Sequence, residues 1–439
     1  METKQLREKV AVVKYDGTSN ALKRAIELCD GFDELKPGHK ILLKPNIVWG
    51  GTKKLPPFGV VTTSTMVDHL LQLLRDKGCN DITIGEGTIP NKELGSSTFK
   101  GYDWSGIGKV AKRYGAKLVD FNSEPFEEVQ LEKIKVKISR WALESDFLIN
   151  LPVLKTHRQT KVSLGMKNLK GCLAIESKKK FHKHDIARLI ALLNTKIKTS
   201  LTLIDGIYAM ERGPEFLGTS HRTNLLIAGR DILSCDIVGA EAVGIRPEEV
   251  DYLKEFSSIK GRSLSLDAIE VKGETLKEIA RPLKWRLSLD DIFHQAGIQG
   301  ITVQHEETDL SCCSGCAAIL SAFCGVFCKD NPGVALEGLE ICMGEKVRAK
   351  KESKKVFLLG NCAIAANKDF KDGIKIKGCP PPVLDTVMAI VLKSLPLKRV
   401  AKILMSRTIK NIGMKLGIYD EAFPAFGTYK PPEFDRNHF

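Results

Sequence analysis

Aromatic side chains are scarce in this chain of 439 residues, with only four Trp and seven Tyr. Proteins that hold single-stranded nucleic acid stack bases on such rings, so nucleic acid is a disfavoured partner. Long apolar runs are missing too, and none approaches the roughly eighteen residues needed to cross a bilayer. The amino-terminal METKQLREKV lacks the apolar centre of a secretory leader, which makes the cytoplasm the expected location. Internal repeats and low-complexity segments are absent. Negative charge is in deficit: the net charge is +14, and Thr386 to Tyr419 holds seven Lys or Arg without one acid. This excess favours an anionic partner, either a small molecule or, through the basic tail, a peripheral contact with an anionic membrane.

Twelve cysteines are present, and disulfides are rare in the expected compartment, so core packing, catalysis and metal binding are the readings to weigh. Cys29, Cys79, Cys172 and Cys235 are scattered. The other eight lie between positions 312 and 379.

Strand-like and helix-like stretches alternate over the first 250 residues, which predicts an α/β fold with a largely parallel sheet flanked by helices. Strands are predicted at 9–15, 39–48, 81–87, 117–122, 146–157, 200–210 and 223–229, and helices at 20–32, 63–78, 185–198 and 233–243. KPN (44–46), GEG (85–87), KTH (155–157) and DG (205–206) read as strand-end corners, where open α/β sheets place ligands. The expected organisation is an α/β domain over 1–275, a smaller cysteine-rich α/β segment over 300–392 and a basic helical tail over 393–439. KKVFLLGNC (354–362) reads as a further strand running into a turn.

Cys313 and Cys316 form a C-x-x-C around a glycine, while Cys362 and Cys379 arrive singly from GNC and GCPPP. Proline after Cys379 removes a donor and fixes the turn. Four thiolates from these places suit a [4Fe–4S] cluster. A tetrahedral zinc is the alternative, although structural zinc more often pairs two C-x-x-C halves. Cys312 is an ambiguous neighbour of Cys313. Cys324, Cys328 and Cys342 read as buried core cysteines, but their number leaves room for a second cluster.

LPVLKTHRQTKVSLGMKNLKGCL (151–173) concentrates cations and amides after a buried strand. Lys155, His157, Lys167, Asn168 and Lys170, with Lys44 and Asn46 from the KPN corner, suit a carboxylate or phosphate. A solvated helix face would show a similar charge run. His157 is the expected proton carrier, with Lys155 and Asp205 as further catalytic candidates and His184 at the rim. His182 and Asp185 are acid–base candidates or surface-loop residues, and Asp236 is a buried or a surface acid. Lys178, Lys179 and Lys180 read as an ordinary surface loop.

LKPNIV, INLPVLKTHRQTKVSLGMKNLKGCL, LIDGIYAMERGP and RDILSCDIVGAEAVG, over about residues 41–245, resemble the family carrying domain of unknown function 362. The resemblance implies an α/β domain in a cytoplasmic protein, frequently joined to an iron–sulfur module, with no assigned reaction. The bacterial ferredoxin run C-x-x-C-x-x-C-x-x-x-C-P is absent here. The pattern CCSGC, GNC, GCPPP looks instead like the scattered cysteines of the small iron–sulfur subunit of respiratory complex I. The family is also distantly similar to lactate racemase, which uses lysine and histidine around a nickel pincer cofactor.

The combined expectation is an iron–sulfur redox enzyme acting on an anionic small molecule. A non-catalytic electron-transfer or cluster-carrier protein that docks a redox partner is the alternative, and a racemase or isomerase the remote one.

Overall fold

The computed structural model describes residues 7–50, 57–90, 95–123, 125–182, 184–213, 218–286, 293, 297–304, 315–320, 323, 335–350, 352–395, 398, 400 and 433–439. The chain divides into two units: residues 1–211, 220–285 and 429–439 form the first, and residues 212–219 and 286–428 the second.

The first unit is built on strands β1 (Glu8–Lys14), β2 (Ile41–Pro45), β3 (Ile82–Glu86), β4 (Lys117–Asp120), β5 (Phe126–Leu131), β6 (Ile134–Ser139), β7 (Phe147–Leu151), β8 (Val153–His157), β9 (Lys161–Ser163), β10 (Leu201–Glu211), β11 (Thr219–Gly229) and β12 (Ile269–Gly273). Ten of them form one sheet in the order β12-β1-β11-β10-β7-β2-β3-β4, with β8 beside β10 and β9 beside β8. The pairs from β7 through β2 and β3 to β4 are all parallel. Every residue of β2, β3 and β7 is buried. Central parallel strands are covered on both faces, which is why ILLKP, ITIGE and FLINL read as nearly continuous apolar runs.

Pro152 splits the predicted strand 146–157 in two. Proline has no N–H to give a ladder, so β7 ends at Leu151 and β8 begins at Val153. Lys155 and His157 therefore lie within β8, in antiparallel register with Ser163 and Lys161 of β9, and not in a loop corner. The DG corner is also displaced, because Asp205 and Gly206 sit inside the eleven-residue β10. A side chain at Gly206 would run into the Leu225 carbonyl oxygen at 2.7 Å, so glycine allows the backbones to approach.

Helices close both sides of the sheet. The helix Ser64–Asp76 starts at Thr63, whose hydroxyl accepts from Met66 N, and Ile186–Asn194 starts at Asp185, which accepts from Ala187 N and Arg188 N. Asp185 is thus a helix cap. The β5–β6 hairpin, the edge strand β12 and the helix Asp251–Lys260 have no counterpart among the sequence expectations.

The second unit contains a parallel four-stranded sheet, β13 (Gln299–Gln304), β14 (Ala335–Cys342), β15 (Lys355–Leu359) and β16 (Ile374–Ile376), in that spatial order. Its core gathers Ile301, Leu339, Ile341, Phe357, Leu359 and Ile390. Cys362 lies in the first turn of the helix Asn361–Ala366, where a turn was expected. Of the predicted basic tail, 396, 397, 399 and 401–432 lie outside the described residues; Glu433–Phe439 belongs to the first unit. Among the described residues no helix is long and apolar enough to cross a membrane.

Candidate functional site

β2 pairs with β3 on one side and with β7 on the other, so the strand order reverses there. In an open α/β sheet the crevice outside the carboxyl ends at such a point is where ligands bind. Here those ends carry Lys44, Asn46, Glu86 and Asn150, all buried.

These residues form one continuous hydrogen-bonded network. Glu86 Oε2 accepts from Lys44 Nζ at 2.7 Å and from Ile47 N at 2.8 Å, while its Oε1 accepts from Gly87 N at 2.7 Å. Both side chains of this ion pair are almost wholly removed from water, at 0% and 3% exposure. Asn168, in the short helix Gly165–Asn168, joins the two central strands. Its Oδ1 accepts from Asn46 Nδ2 at 2.9 Å, and its Nδ2 donates to Asn150 Oδ1 at 2.8 Å and to the Lys44 carbonyl at 3.2 Å. Asn46 Oδ1 in turn accepts from Lys155 Nζ at 2.6 Å, which also donates to the Val60 carbonyl at 2.9 Å. Thr62 completes this side by donating to the Leu151 carbonyl and accepting from Asn46 N.

Two glycines leave room for the charged ends. A Cβ on Gly171 would overlap Glu86 Oε1 and lie 2.7 Å from both Cε and Nζ of Lys44. A Cβ on Gly87 would overlap Lys178 Nζ and lie 2.6 Å from the Gly171 carbonyl oxygen. Gly171→Ala is therefore expected to lower the stability of the first unit by about 1–3 kcal/mol, as overpacking does, and to push Lys44 off Glu86. Denaturant unfolding checks it; an unchanged midpoint would show that the pair has slack.

His157 is buried beside the network. Its Nδ1 accepts from Gln159 N at 3.0 Å and from Thr160 N at 3.3 Å, which assigns the ring proton to Nε2. Burial, followed by Lys167, Lys170, Lys155 and His182, holds its pKa well below the usual 6.5. His157 is consequently neutral at pH 7 and suited to donating a hydrogen bond from Nε2. His182 is pushed down to about 3 by the packing around its ring and then by Lys170 and Lys167, although part of it remains open to solvent. It is a neutral neighbour of Lys170 Nζ at 3.0 Å. His184 is exposed and has no hydrogen bond to this network.

Asp205 is buried, and its carboxylate accepts from Thr63 N at 2.7 Å, Thr63 Oγ1 at 2.8 Å and Ile207 N at 3.0 Å. It ties the start of the helix Ser64–Asp76 to β10, and burial raises its pKa against those bonds. Asp236 is likewise a buried acid. It accepts from Gly165 N and Met166 N, the start of the helix that carries Asn168, and burial pushes its pKa up to about 7.

The sequence pattern thus identifies Lys44, Asn46, Lys155, His157, Lys167, Asn168 and Lys170 as neighbours, and the fold brings them together. It passes over Glu86, although the GEG corner is flagged, and over Asn150 and Thr62. The triple lysine expected in a surface loop is corrected: 175–181 is a helix, Lys178 is buried and Lys179 is exposed.

In the second unit, Cys316 is buried, Cys362 half-buried and Cys379 exposed. A Cβ on Gly360 would lie 2.9 Å from Cys316 Sγ and 3.8 Å from Cys362 Sγ, so both sulfurs face that glycine. Asn361 N donates to the Gly378 carbonyl, and Asn361 Oδ1 accepts from Gly378 N, which holds the Cys379 loop against the Cys362 turn. Cys312, Cys313, Cys324 and Cys328 lie outside the described residues. Among the described residues, no three His, Cys, Asp or Glu side chains converge as a metal-ion group. Cys342 is buried beside Glu340, and burial raises its pKa. Cys29 and Cys172 are core thiols pushed up to about 12 by burial.

Residues 41–241 match the family described as Domain of unknown function (DUF362). The chain is similar to the thylakoid-associated protein sll1697 of Synechocystis sp. (strain ATCC 27184 / PCC 6803 / Kazusa), with 26% identity over 222 residues, 49% of this chain. It spans 66% of the length of that relative. Among solved structures it is similar to the lactate racemase apoprotein from Thermoanaerobacterium thermosaccharolyticum, at 17% identity and a TM-score of 0.36, covering 54% of this chain and 58% of the other.

Proposed function

We propose from the site itself, since the description of the family that residues 41–241 match assigns no reaction, that the protein binds a small anion at the β2–β7 switch point. One observation carries this reading. Among the described residues, Lys44 and Lys178 are both buried beside one buried carboxylate of the network, Glu86, and Lys155, Lys167 and Lys170 stand around a neutral His157. Desolvated cations cost several kcal/mol each unless anions compensate them. A carboxylate or phosphate supplies that compensation and accepts a hydrogen bond from His157 Nε2. Saturable binding of oxalate or sulfate, measured by calorimetry, tests it, and absence of saturation sinks it.

The redox half of the reading rests on the thiols. Cys316 and Cys362 facing one side-chain-free glycine, with Cys379 held close by, fit a thiolate-bound centre, and Cys313 would supply the fourth ligand. Four thiolates there would hold a [4Fe–4S] cluster, which supplies one-electron transfer when bound. Under this reading the protein is an oxidoreductase acting on the bound anion. Anaerobically purified protein should then be brown and contain about four irons per chain. Changing Cys313, Cys316, Cys362 or Cys379 to Ser should lower the iron, whereas Cys29→Ser and Cys79→Ser should not. Colourless protein with one zinc would overturn the redox reading while leaving the anion site intact. Iron without saturable anion binding would favour an electron-transfer or cluster-carrier role.

A further inference from the structure

The helix Ile175–Phe181 turns Lys178 inward, and its Nζ donates to the Gly87 carbonyl and, at 3.1 Å, to Asn122 Oδ1. Both acceptors are neutral. The titratable groups facing this ammonium are Glu86, Lys44, Cys172 and Asp120. Among the described residues neither carboxylate accepts a hydrogen bond from its Nζ, although Glu86 and Asp120 both favour its charged form from a distance. Glu86 already accepts from Lys44 Nζ and two backbone N–H groups. Asp120 Oδ1 accepts from the Thr98 hydroxyl at 2.7 Å and from Asn122 N at 2.9 Å. The Cys172 thiol is neutral, because burial pushes it up to about 12. Lys44 adds a second positive charge. Gly87 and Gly171 meet between them, so Lys178, Glu86 and Lys44 lie along one side-chain-free contact.

A buried ammonium in this position has two ways to relieve its desolvation: it loses its proton, or it gains an anion. We propose that Lys178 is a proton-linked residue of the anion site: it is part neutral when the site is empty and is fully protonated when a dianion is bound. This rests on the anion-binding reading and adds to it a residue and a pH dependence. Burial, the largest influence on Lys178, lowers its pKa to about 8, while Glu86 opposes the shift. At pH 7 the empty site would therefore hold most of the proton already. At pH 9 only about one tenth of the molecules would hold it, so binding must draw a proton from solution.

The experiment is calorimetric titration of the full chain with sulfate and with oxalate, neither of which titrates in this range, in two buffers of different ionisation enthalpy. Proton uptake should be small at pH 7 and approach one per site at pH 9, with affinity falling several-fold between them. Lys178→Met should abolish the uptake and weaken binding at pH 7 about tenfold; Lys179→Met, an exposed change on the same helix, should do neither. The wild-type pH series stands alone should Lys178→Met fail to fold. Binding at pH 9 without proton uptake, or uptake that persists in Lys178→Met, overturns the inference and leaves the anion site standing. Absence of saturable binding at both pH values overturns both.

Discussion

Glu86→Gln should lower the stability of the first unit by about 3–5 kcal/mol, because it leaves the Lys44 ammonium buried without its counter-charge. Gln keeps one acceptor oxygen, which in the place of Oε2 retains the bonds from Lys44 Nζ and Ile47 N and loses that from Gly87 N, so the loss falls towards the low end. Lys44→Met strands the carboxylate in the same way and should cost a similar amount. Lys44→Met combined with Glu86→Gln removes both charges and should be less destabilising than the sum of the two single changes. Urea unfolding of the four proteins reads this coupling. Additive losses would mean that the 2.7 Å contact contributes no more than its two side chains do separately.

The pair also explains which parts of the site are legible in sequence. Lys44 and Asn46 lie at the end of β2, whose apolar character is set by burial on both faces of a parallel sheet, so their strand-end positions can be read locally. Glu86 is chosen by Lys44, forty-two positions away, through the adjacency of β2 and β3. No local pattern states which strand will be the neighbour. Asp205 misleads for the opposite reason. An Asp-Gly pair is the usual mark of a turn, but here the glycine serves close strand packing against Leu225 and the acid is consumed by Thr63. The triple lysine is recoverable in hindsight. Ala174, Ser177, Lys178 and Phe181 share one helical face at i, i+3, i+4 and i+7, and all four are buried, which leaves Lys179 outside.

That correction decides the control for the test of function with the largest expected effect. Lys155→Ala removes a buried ammonium bonded to Asn46, and Lys167→Ala removes one that acts on His157. A charge-assisted hydrogen bond to a bound carboxylate or phosphate contributes roughly 1.5–3 kcal/mol, so either change should weaken oxalate or sulfate binding about tenfold or more. Lys179→Ala deletes the same formal charge from an exposed position and is the matched comparison, whereas Lys178 is not. At about 0.15 M salt, diffuse electrostatics are screened beyond about 8 Å, so Lys179→Ala should change binding less than twofold. The two site variants should also differ from each other. Lys155 holds Asn46 and the Val60 carbonyl, so its loss should also lower stability by about 1–3 kcal/mol through unsatisfied buried acceptors. Lys167 is half-buried, so its loss should weaken binding with little change in the unfolding midpoint. Equal losses of affinity from Lys155→Ala, Lys167→Ala and Lys179→Ala would reduce the crevice to an effect of net charge and move the weight to a docking surface for an acidic redox partner.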